Sequence, residues 1–136
     1  MQFLYHLLIG FLLLCAYFWI GNAAFIIAAA YVAVDLDHIQ ILIKERAFSF
    51  KKMRDLLVHG YEKYGKNPKQ AFDGQFFIFH SIEFLVILLA IAYLFYPTFY
   101  YMAAGIGLHI LTDVMHHSIK GLPVLNWLFL SSNLFR

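Results

Sequence analysis

The sequence predicts an all-α fold: an integral membrane four-helix bundle with an interfacial amphipathic helix in its central cytoplasmic loop. Three observations carry this prediction. Hydrophobic residues fill 62% of the 136 positions and charged residues only 13%, a balance foreign to ordinary soluble domains. Apolar runs of about 18 residues or more recur along the chain, and their regularity favours helices over a barrel. The basic residues are gathered in one segment between these runs. A single membrane domain over residues 1–136 is the natural reading of this length.

The first span covers about residues 3–20, long enough to cross a bilayer with little tilt. His6, near its start, is read as interfacial, with membership of a polar site the lesser alternative. No Lys or Arg precedes the apolar run, so a cleavable signal peptide is not supported and the helix is expected to be a retained anchor. Cys15 is the single cysteine, which excludes an intramolecular disulfide. Gly21-Asn22 breaks the run, with Asn22 the expected N-cap of a second span over about residues 23–43. The small residues Ala28-Ala29-Ala30 would let neighbouring helices approach closely. The far end carries Asp35-Leu-Asp37-His38, followed by Ile39, Ile41, Leu42 and Ile43, so these polar groups lie inside the helix end. On a continuous α-helix Asp35 and His38 are i,i+3 neighbours able to share one ion. Asp37 points about 160° away from Asp35, toward a second ion or another partner.

Residues 44–75 form the long polar loop. Between Lys44 and Asp73, eight basic and four acidic residues leave a net charge of +4, which places the loop in the cytoplasm. Its centre, about Phe48 to Tyr64, mixes Phe, Met, Leu and Tyr with Lys and Arg, as a helix lying on anionic lipid would. His59 there is read as a surface residue, and Gly65-Lys-Asn67-Pro68 ends the segment. The third span covers about residues 76–96, with His80 and Glu83 expected on one face of its first turns, about 60° apart. After Pro97 the fourth span covers about residues 99–117. Tyr93, Tyr96, Tyr100 and Tyr101 surround the turn as an aromatic belt. In the fourth span Asp113 lies about 40° from His109 and His116 about 20° to the other side, so the three share a stripe, with His117 at its edge. The tail from Val124 to Phe135 is apolar but too short to span, and is expected at the interface or re-entering.

This topology has a consequence that no single motif carries. With the loop and both termini cytoplasmic, Asp35, Asp37 and His38 lie at the same depth as His80, Glu83, His109, Asp113, His116 and His117. Imidazole mixed with carboxylate suits Zn²⁺, Mn²⁺ or Fe²⁺, and the lack of cysteines argues against a closed structural zinc site. The i,i+3 pairs are those by which helix bundles build metal centres. The candidates outnumber the ligands of one tetrahedral ion, which leaves a two-metal site or a layer of supporting residues as alternatives. Packing hydrogen bonds or a proton path are the bland alternatives for each residue taken singly.

Asp35-Leu-Asp37-His38, then His80-Ser81, then His109-Ile-Leu-Thr-Asp113, in a small four-span protein, resemble the LexA-regulated, membrane-bound metal-dependent hydrolases (the YdjM-like family). The likeness covers about residues 25–120. Gln75 and Phe76 stand where that family usually has a His-Arg pair before His-Ser, so one ligand and one anion-binding arginine are missing, and Glu83 is a candidate replacement. The resemblance implies a metal-dependent hydrolase of undefined substrate. The function expected is hydrolysis at the cytoplasmic membrane face, on a lipid or lipid-linked phosphoester. Asp35, Asp37, His38, His80, His109 and Asp113 are the expected metal ligands, zinc the expected ion, and manganese or iron the alternatives. Glu83 is read as general base or ligand and His116 as ligand or proton shuttle. Lys52 or Arg54 could hold the phosphate. The alternative is a non-catalytic metal-binding or ion-translocating membrane protein. Membrane lipid is the expected partner and nucleic acid is not; a homo-oligomer is left open.

Overall fold

Backbone polar groups in so apolar a chain must be satisfied locally, and helices do this within one segment. The computed structural model describes residues 2–55, 77–119 and 128–129, and among them there are helices, turns and no strand. The helices are α1 (Gln2–Cys15), α2 (Tyr17–Ile20), α3 (Asn22–Ala33), α4 (Ile39–Lys44), α5 (Ile82–Leu94) and α6 (Phe99–Ile119), with a 3₁₀ turn at Val34–His38 between α3 and α4. They follow the four expected apolar runs, but three of the runs depart from the continuous helix expected of them.

The first run breaks at Ala16, whose N–H turns to the Leu13 carbonyl at 3.1 Å instead of continuing the α pattern. Gly21, not Asn22, is the N-cap of α3. It sits at φ 60° and ψ −144°, a backbone conformation that glycine alone adopts readily, and no side chain caps the helix. The second run is helical from Asn22 to Lys44 and is long and apolar enough to cross a membrane. Its middle, however, tightens to 3₁₀ at Val34–His38. At about three residues per turn Asp35 and His38 eclipse one another, while Asp37 turns about 120° away. The run ends in a Schellman motif: Ala47 N–H bonds the Leu42 carbonyl, Arg46 N–H bonds that of Ile43, and Arg46 takes φ 50°.

The third run is shorter than expected. α5 starts at Ile82 because Ser81 caps it: its hydroxyl accepts the Phe84 N–H at 3.2 Å and donates to the Ile78 carbonyl at 2.8 Å. His80 therefore lies in a turn before the helix, and the expected helical face shared by His80 and Glu83 does not form. Glu83 falls instead in the first turn of α5, where a carboxylate complements the helix dipole. Residues 50–55 are helical, in keeping with the start of the expected amphipathic helix. The rest of that helix, His59, the Gly65–Pro68 stop, Gln75 and Phe76 lie outside the described residues.

α3 is the central helix: α1 and α6 pack on it, and α5 packs on α6. Two glycines set these approaches. A Cβ at Gly105 would stand 2.3 Å from the Ile27 carbonyl oxygen, and one at Gly10 would stand 2.7 Å from Val32 Cγ2. Ala24, Ala28, Ala30 and Ala103 are buried along the same contacts. Small residues thus bring three helices to close range, as in lipid-embedded bundles. Val34, Leu88, Ile106 and Ile110 fill the apolar core, on which Leu128 and Phe129 of the tail also pack. The outside is apolar too, with Phe11, Leu12, Trp19, Phe25, Val86, Ile87, Tyr93, Leu94 and Leu111 all exposed. The apolar stretches Tyr5–Cys15 and Ile82–Leu94 are shorter than a span.

Candidate metal centre

His109 enters the interior because of Gly105, one turn earlier on α6. With the helices in contact there, the His109 side chain reaches the α3 backbone, and its Nδ1–H donates to the Tyr31 carbonyl at 2.7 Å. A carbonyl only accepts, so the proton is fixed on Nδ1 and the Nε2 lone pair is free to point inward. That Nε2 lies 3.4 Å from Asp113 Oδ2 and 3.7 Å from Asp35 Oδ1, and makes no hydrogen bond. His109 is fully buried.

His80 is oriented in the same way by a different group. Its Nδ1 faces Asp37 Oδ2 at 3.3 Å, and Asp37 is held in turn by the Phe79 N–H at 2.7 Å. Nε2 of His80 then lies 3.6 Å from Asp113 Oδ2. A carboxylate or carbonyl behind an imidazole is the usual support of a metal-ligating histidine. Asp37, expected as a ligand, stands in that position behind His80. The turn leaves Asp37 about 120° from Asp35 and His38, facing the Nδ1 side of His80.

The 3₁₀ turn places the remaining donors. Asp35 Oδ1 lies 3.7 Å from His38 Nδ1, a buried nitrogen without a hydrogen bond, while the His38 side chain as a whole is 36% exposed. Asp35 Oδ2 faces His6 Nδ1 at 3.1 Å, and His6 Nε2 faces Asp113 Oδ1 at 3.3 Å. His6 is buried, with its ring 4.1 Å from that of His109. Behind them Tyr31, fully buried, donates its hydroxyl proton to Thr112 Oγ1 at 3.3 Å.

Six side chains from four segments thus meet: His6 from α1, Asp35 and His38 from the 3₁₀ turn, His80 from the turn before α5, and His109 with Asp113 from α6. Three overlapping groups among them hold ligand atoms all within 4.8 Å of one another: His6, Asp35 and His109; Asp35, His38 and His80; His80, His109 and Asp113. The N···O separations of 3.1–3.7 Å are close to the edge, about 3.3 Å, of a tetrahedron with bonds of ~2.0–2.1 Å. Buried carboxylates packed among imidazoles need compensating positive charge, which protonated histidine or a bound cation can supply, and the donor set is compatible with a divalent metal without identifying it.

Of the expected ligands, Asp35, His38, His80, His109 and Asp113 come together. Glu83 and His116 belong to none of the three groups, and His116 instead stacks edge-on with His117 at 6.1 Å. His6, read mainly as interfacial and not among the expected ligands, joins them. The signal was available, because a cytoplasmic N-terminus puts His6 at the depth of the other donors.

No family model, curated protein or solved structure matches this chain. The likeness to YdjM-like hydrolases therefore rests on three short motifs, and their serine has a structural role as the α5 cap.

Proposed function

We propose that the chain is a multi-pass membrane protein whose buried centre holds a divalent metal and hydrolyses a lipid or lipid-linked phosphoester at the cytoplasmic face. The observation that carries this reading is the meeting of six ligand-type side chains from four segments. It is supported by the apolar exterior, since soluble monomers seldom expose apolar surface so widely. Zinc is the first candidate, and the motif likeness favours hydrolysis.

When bound, a divalent ion supplies Lewis acidity toward a phosphoryl or acyl oxygen and makes water a nucleophile near neutral pH. The chain's residues do the rest. Tyr31 and Asp37 hold His109 and His80 with Nε2 turned inward. His38, the most exposed of the six, marks the side from which substrate would arrive. Glu83 remains the proposed general base and His116 the proposed proton shuttle, both outside the ligand groups.

The test is to present phospholipids and polyprenyl phosphoesters in micelles to detergent-purified protein. Cleavage that chelator abolishes and His109→Ala lacks is the expected result. No cleavage above that of the chelated protein overturns the hydrolase reading. The second reading, a non-catalytic metal-binding or ion-translocating protein, draws on Gln75 and Phe76 standing in place of the His-Arg pair. It predicts bound metal without turnover.

A further inference from the structure

A carboxylate has two oxygens and can join two cations, whereas a neutral imidazole has one lone pair and holds one. This rule discriminates among the three ligand groups, because each pair of groups shares one residue. His6–Asp35–His109 and Asp35–His38–His80 share a carboxylate. His80–His109–Asp113 overlaps each of the others only through a histidine. Neither shared histidine can serve two ions, because His109 commits Nδ1 to the Tyr31 carbonyl and His80 turns its Nδ1 to Asp37.

We propose that the cluster is a two-ion centre, one divalent ion on His6 and His109, the other on His38 and His80, with Asp35 between them. This rests on the metal-dependent reading above and extends it. Asp113 supplies the second bridge: its Oδ1 faces His6 at 3.3 Å, on the first half, and its Oδ2 lies between the halves, 3.4 Å from His109 and 3.6 Å from His80. The buried nitrogens of His109 (Nε2) and His38 (Nδ1) that make no hydrogen bond fall one in each half. Each half thus takes two imidazoles from different segments and shares the same two carboxylates, the pattern by which helix bundles assemble paired-metal sites. Two divalent ions also exceed the charge of Asp35 and Asp113, which leaves a positive surplus for an anionic group such as a phosphoester.

The test uses the full chain in detergent, stripped by chelator and reloaded with Mn²⁺, with metal content from elemental analysis and spin coupling from electron paramagnetic resonance. The wild type should retain two Mn²⁺ per chain with an exchange-coupled spectrum. His6→Ala and His38→Ala should each retain one, with the six-line signal of isolated Mn²⁺. One ion per wild-type chain with the isolated signal overturns the two-ion centre and leaves metal binding intact. No retained ion in the wild type overturns both readings. The wild-type measurement decides the matter even where a variant fails to fold.

Discussion

A neutral imidazole offers one lone pair, so the role of each histidine here is decided by which of its nitrogens is already engaged. His80 depends on Asp37 for this, and Asp37 is therefore the residue whose role is most exposed to test. Asp37→Asn keeps an acceptor for the Phe79 N–H but weakens the hold on His80. Metal affinity should fall about 10–100-fold, the usual cost of losing such a support, with the helical fold retained. Titration against a competing chelator measures this, and an unchanged affinity would show that Asp37 only packs. Glu83 gives the opposite expectation. Glu83→Gln should keep full metal content, because Glu83 stands outside the ligand groups, and turnover should fall about 10²-fold or more if it is the base. Elemental analysis beside the lipid assay separates the two quantities. Five of the six clustered donors were legible in the sequence from residue type and depth. Asp37 belongs to none of the three ligand groups, in line with the α-helical direction that already turned it from Asp35 toward another partner, and His6 was read as interfacial because a lone histidine near a terminus carries no spacing signal.

The elements act on the site through their ends and close approaches. Gly105 and His109 lie one turn apart on α6, as do Gly10 and His6 on α1, so each glycine brings its helix against α3 beside a site histidine. Gly105→Ala forces the Ile27 carbonyl away from a Cβ that would stand 2.3 Å from it. It should cost about 1–3 kcal/mol or more, as overpacking does, and should lengthen the His109–Tyr31 bond. The expected outcome is a lower melting temperature together with lost metal. A variant with wild-type melting and metal content would mean that the contact relaxes without moving His109. Ser81→Ala should cost about 0.5–2 kcal/mol through the lost cap of α5, and should loosen the turn that presents His80. The helices themselves were readable from apolar runs. The 3₁₀ turn and the late start of α5 were not, because hydropathy senses neither a tightening of the helix nor the Ser81 cap that starts α5.

At the scale of the whole molecule, the described residues bury His6, Asp37, His80, His109 and Asp113 beside the apolar core, while many Phe, Leu, Ile and Trp side chains face outward. Water would penalise that surface, and a bilayer would not. The site also ties the orientation of the chain together. His6 touches both Asp35 and Asp113, at 3.1 and 3.3 Å, so the start of α1, the middle of the α3–α4 run and the second half of α6 must lie at one depth. On the multi-pass reading proposed above, the N-terminus and the loop after α4 would then lie on the same side of the membrane, and the loop's charge of +4 would assign that side to the cytoplasm. Two single-cysteine variants in a Cys15→Ala background test this, Gln2→Cys and Ser49→Cys. A membrane-impermeant maleimide added outside intact cells should label neither, and both should label once the membrane is opened. Labelling of both from outside would reverse the orientation but keep the site. Labelling of one and not the other would separate His6 from Asp35 by the thickness of the bilayer, and the centre could not form.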